Sequence, residues 1–71
     1  EQVRRWYANL ELPLGAAATE VRKAYRRLMR RYHPDRFAQD AQAAAAAHRL
    51  SQGIREAHDG LIAWLDANPQ V

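Results

Sequence analysis

Residues 20–37 read EVRKAYRRLMRRYHPDRF, and this stretch decides the fold. Val21, Ala24, Tyr25, Leu28 and Tyr32 fall at i, i+3, i+4, i+7 and i+11, which is one face of an α-helix. Nearly every position between them is arginine or lysine. Glu20 in the first turn suits the positive end of the helix dipole, and the later arginines suit the negative end. Thr19 is the expected cap, although Ala17 stands where a capping-box hydroxyl would pair with Glu20. Pro34 disfavours helical geometry at His33, so the helix is expected to stop near Tyr32.

Outward from this helix the chain reads as all-α. Valine, isoleucine and threonine total only six, and no stretch alternates apolar and polar residues at the period of a strand. Residues near 3–10 form a short amphipathic helix with Val3, Trp6, Tyr7 and Leu10 on one face. Pro13 and Gly15 mark ELPLGAAA as a loop, with Leu12 and Leu14 expected against the core. A third helix is expected from Asp40 or Ala41 to about Asp66, ended by Asn68-Pro69. Its seam is Ala47, Leu50, Ile54, Ala57, Leu61 and Leu65, and Gly60 is a possible break that the apolar phase runs through. Two long helices joined by a short loop lie antiparallel to bury their stripes, which puts YHPDRF at the tip of the hairpin.

Composition narrows function. The chain has 71 residues and an apolar fraction of 48%, but 15 of its 34 apolar residues are alanine, so the core is thin. With no cysteine there are no disulfides, thiolate metal sites or cysteine nucleophiles. No run reaches the roughly 20 apolar residues of a membrane span. The chain begins at Glu1 rather than Met and is read as one domain, residues 1–71, cut from a longer protein. The net charge of +3 is uneven. Residues 20–36 carry seven basic groups against Glu20 and Asp35, a balance of +5, whereas the remainder balances at −2. This segment is suited to an acidic partner surface.

His33 and Asp35 have no nucleophile, oxyanion donor or pocket beside them to suggest an acid–base dyad. His48 and His58 lie about 15 Å apart along a helix, too far to share a metal with His33. No enzymatic activity, cofactor or metal is expected. Trp6, Tyr7, Tyr25 and Tyr32 are read as core, and Trp64 as either core or a contact surface.

The sequence AYRRLMRRYHPDR (24–36), preceded by WYANLELPLG (6–15) and followed by IREAHDGL (54–61), resembles a J-domain. This module defines the DnaJ or heat-shock-forty co-chaperones. The resemblance implies binding to a DnaK-type, seventy-kilodalton heat-shock ATPase and stimulation of its ATP hydrolysis. By position it gives His33, Pro34 and Asp35 as the essential loop. Arg22, Arg26, Arg27 and Arg31 form the docking face, flanked by Lys23 and Arg30. Asp35, a lone carboxylate among arginines, is placed either to accept a charge-assisted bond from a partner arginine or to order Arg36 locally, and Arg36 with an exposed Phe37 completes the partner-binding set. A cytoplasmic, monomeric domain is expected.

Two other classes use the same residues. A J-like interaction module would keep the fold without activating an ATPase. A nucleic-acid-binding helix would turn the arginines to phosphates, but the positive charge has no additional basic arm. The sequence also departs from the family pattern. Ser51 stands where helix three usually has an aromatic, with Leu50 expected to fill the space. His58 replaces a common tyrosine, Phe37 a polar residue, and the tail LIAWLDANPQV is weakly acidic in place of a basic fourth helix.

Overall fold

The computed structural model describes residues 1–69 as three α-helices and one 3-10 turn. Helix α1 is Gln2–Asn9, α2 is Ala18–Tyr32, the turn is Pro34–Phe37, and α3 is Ala41–Ala67. No strand occurs among the described residues, so the chain is all-α as the patterning indicates. The last two residues of the acidic tail, Gln70 and Val71, lie outside the described residues.

The two long helices run antiparallel. Tyr25 stacks on His58 with ring centroids 4.3 Å apart, while Leu28 and Tyr32 share a cleft with Leu50, Gly53 and Ile54. Residue numbers on α3 thus fall as those on α2 rise. Val21, Ala24 and Leu28 of α2 are buried with Ile54, Ala57 and Leu61 of α3, and Tyr7 of α1 and its C-cap Leu10 close the cluster. Each large side chain in such a core is worth about 1.5–3 kcal/mol relative to exposure. At about 1.5 Å per residue α3 is nearly twice as long as α2. It therefore packs against α2, against α1 and against the turn, which gives the molecule its 47 Å long axis.

The helix ends have local causes. Asp40 caps α3 by accepting from the backbone N–H groups of Gln42 and Ala43 at 3.1 and 3.2 Å. Ala67 is the last helical residue and Asn68 the C-cap, close to the expected end. No break occurs at Gly60. Helix α1 closes with Glu11 in the left-handed region, φ 58°. There the Glu11 N–H donates to the carbonyl of Ala8 and the Leu12 N–H to that of Tyr7, the paired bonds of a Schellman ending. This ending turns Leu12 inward. The Tyr7 hydroxyl then donates to the carbonyl of Ala16 at 2.8 Å and ties the loop down.

Three expectations are corrected. Leu14 is 63% exposed, because the inward turn at Leu12 leaves it beyond the core on the outside of the loop. Thr19 lies inside α2, which begins one residue earlier behind Ala17, a cap with no side-chain hydrogen bond. Leu50 is 51% exposed, whereas Ser51 is 7% exposed and faces the interior. A step of 100° per residue separates the two positions, and Ser51 meets its own polar need by donating to the carbonyl of His48 at 2.9 Å.

The two helical glycines differ. The Trp6 ring lies against Gly60 so closely that a Cβ there would fall on Trp6 Cζ2 and Cη2, whereas a Cβ on Gly53 meets nothing. Gly60→Ala is expected to destabilise the fold by about 1–3 kcal/mol through overpacking. Gly53→Ala is expected to stabilise it by up to about 1 kcal/mol through helix propensity. Urea unfolding of both variants measures the difference in sign. Burial also pushes the Tyr7 phenol above its ordinary 10.0. The unfolded chain then ionises first, so the contribution of Tyr7 is intact below that value and is lost as pH rises through the folded one. Unfolding measured from about pH 9 to 11 is expected to show a downward slope that Tyr7→Phe reduces.

Candidate functional site

The hairpin tip is built by Pro34. Its ring holds His33 extended, at φ −64° and ψ 133°, and so ends α2 at Tyr32. Pro34 then occupies the first position of the 3-10 turn, where a missing N–H costs nothing. Three bonds shape the turn. His33 Nδ1 accepts the Asp35 backbone N–H at 3.2 Å. The Arg36 N–H donates to the His33 carbonyl at 3.0 Å. The Arg36 guanidinium reaches back to the carbonyl of Arg30, also at 3.0 Å, and meets one of the orphan acceptors at the end of α2.

Asp35 is left standing outward. Its side chain is 93% exposed, and its nearest ion partner is the His33 ring, with Oδ2 3.7 Å from Nδ1. Of the two readings of Asp35, the local ordering of Arg36 does not occur, because the Arg30 carbonyl already holds that guanidinium. Phe37 is half-buried rather than exposed. The 3-10 turn rolls it toward α3, where it lines one side of the tip with Asp40 and Ala43. The alanine run is what permits this. Small side chains at Ala43, Ala44 and Ala47 let the turn and α2 approach α3 closely, and Ala47 is buried.

All six cationic side chains of α2 are exposed. They form two rows at four-residue spacing: Arg22, Arg26 and Arg30, then Lys23, Arg27 and Arg31. Lys23 is 3.9 Å from Glu20, and Arg31 lies over the Tyr32 ring at 5.5 Å. Arg26 and Arg30 of the first row line an open groove of about 550 Å³ that ends at the tip, together with Tyr25, Met29, His33 and Arg36. Its apolar lining is a feature the sequence reading missed. Tyr25 was assigned to the core and Met29 to nothing. Both sit at the edge of the apolar stripe, where a large side chain is shared between core and surface, and that edge position is the signal. Trp64 lies at the exposed end of its two readings.

The profile described as the DnaJ domain matches residues 5–62, which take in α2, the tip, most of α3 and most of α1. The chain belongs to the DnaJ domain family. Among similar proteins is chaperone protein DnaJ 2 of Synechocystis sp., 41% identical over 61 residues, or 86% of this chain and 19% of the relative. Chaperone protein DnaJ of Acidiphilium cryptum is 45% identical over 56 residues, covering 79% of this chain and 14% of the relative. The mouse DnaJ homolog subfamily C member 28 is 34% identical, covering 84% and 17%. The chain therefore spans less than a fifth of the length of these relatives. No solved structure matches it. In this J-domain, residues 5–62 hold all of the tip and the basic face, and no helix among the described residues is long and apolar enough to cross a membrane.

Proposed function

We propose that this J-domain is a co-chaperone module that docks on a DnaK-type ATPase and stimulates its ATP hydrolysis. Family membership and relatives named as DnaJ chaperones support the co-chaperone role. The observation that carries the finer reading is the Asp35 carboxylate, exposed and, among the described residues, without a cationic partner other than the His33 ring, beside two rows of cations. Such a carboxylate is set to accept a charge-assisted bond from a cation of the partner.

The parts divide the work. Arg22, Lys23, Arg26, Arg27, Arg30 and Arg31 attract an acidic surface and raise the encounter rate. Tyr25 and Met29 give that surface an apolar floor to settle on. His33 and Pro34 fix the corner, so little conformational freedom is lost when the tip is engaged. Arg36 belongs to the corner's internal bracing, and Phe37 anchors it from behind. The chain performs no chemistry itself. It acts as one domain, by contacts that favour the hydrolysis-competent state of the ATPase over the other.

Asp35→Asn and His33→Gln are each expected to return ATP turnover to the rate of the ATPase alone while leaving helicity and melting temperature nearly unchanged. A single-turnover assay with a DnaK-type ATPase checks this, and equal stimulation by wild type and Asp35→Asn refutes it. The double variant Arg26→Ala with Arg27→Ala is expected to weaken binding more at about 50 mM than at about 300 mM salt, because exposed charges are screened over shorter distances at higher ionic strength. Equal losses at both concentrations would mean that these arginines act by packing and not by charge.

A further inference from the structure

His33 meets the turn through one nitrogen that faces two different groups. Nδ1 accepts the Asp35 backbone N–H at 3.2 Å, and the same atom lies 3.7 Å from the Asp35 carboxylate. An accepting nitrogen carries no proton, so the neutral ring is the Nε2–H tautomer. In this state the ring caps the turn, and the carboxylate remains free for a partner. A ring protonated on both nitrogens has only donors. It cannot accept the Asp35 N–H, and its Nδ1–H is directed to the carboxylate instead. The two arrangements exclude one another.

We propose that His33 is a positioning residue that holds Asp35 available only while Nδ1 is unprotonated, so that acid closes the docking tip on itself. This rests on the role given to Asp35 above. Other ionisable groups surround the ring without replacing it. Tyr25, Arg26 and Arg30 of α2 line the groove with it, as does Arg36 of the turn. Arg36 is held by the Arg30 carbonyl. At the N-cap of α3 the ionisable side chain lining the tip is Asp40, whose Oδ1 already accepts from Gln42 and Ala43. The Asp35 N–H is bonded to His33 Nδ1, and the local device is that ring's second proton.

The test joins nuclear magnetic resonance of the 71-residue chain to an ATPase assay across pH. Nitrogen-15 shifts of the His33 ring report its tautomer and titration midpoint, and the Asp35 amide proton reports the cap. The turnover of the bare ATPase at each pH serves as the comparison, since it carries the pH dependence of the ATPase itself. The expected result is an Nε2–H ring above the midpoint and an Asp35 amide that shifts with the ring. The ratio of stimulated to bare turnover, less one, then halves at that midpoint and falls to about a tenth one pH unit below it.

An Nδ1–H tautomer, an Asp35 amide indifferent to the ring's titration, or a ratio that stays flat across the midpoint overturns the proposal. If the chain does not stimulate at any pH, the docking role of Asp35 fails, while the resonance data still decide whether His33 and Asp35 are coupled.

Discussion

The apolar seam between α2 and α3 is the constraint on which the molecule depends. Val21, Ala24 and Leu28 on one helix meet Ile54, Ala57 and Leu61 on the other, and all six are buried. With so few large side chains, no second core exists to hold the hairpin if this one loosens. The seam sets the direction of α2, and therefore where its C-terminus delivers His33-Pro34-Asp35. It also directs the six cations of α2 outward, which gives the basic face its exposure. The docking end and the core are thus two sides of one periodic pattern.

Much of this was legible in the residues themselves. The stripe of α2, its end before Pro34 and the Asp40 start of α3 follow from spacing, from a proline's effect on its neighbour and from a capping carboxylate. What escaped has physical causes. On α3 the steps 47, 50, 54 and 47, 51, 54 are equally helical, and an alanine run supplies no bulk to choose between them. The burial of Ser51 over Leu50 was decided by the approach of α2. Leu12 and Leu14 were indistinguishable because the turn that separates them uses a left-handed glutamate, where a glycine would have announced it. Phe37 and Arg36 were misread for one reason. Neither the 3-10 turn nor its bond to the Arg30 carbonyl leaves a periodic trace.

The tip shows how a small number of local bonds can present a group without engaging it. Backbone and side-chain donors of the turn are directed to His33 and to the end of α2, so the structure is braced entirely behind Asp35. A carboxylate used to brace its own loop would be a poorer contact, since a partner would have to displace that bond first. Here the bracing is assigned to an imidazole and a guanidinium, and the carboxylate is left over.

The two rows of cations on α2 have a cost within the helix. Arg22, Arg26 and Arg30 are successive neighbours along one ridge, as are Lys23, Arg27 and Arg31 along the next, and like charges at that spacing repel by about 0.2–0.5 kcal/mol per pair. Glu20 relieves only Lys23. The helix is therefore electrostatically frustrated on its own, and an acidic surface laid across it removes self-repulsion as well as adding attraction. Dissolved ions do the first without the second. Ionic strength thus acts on this domain with opposite signs, tightening the fold while loosening its grip on a partner.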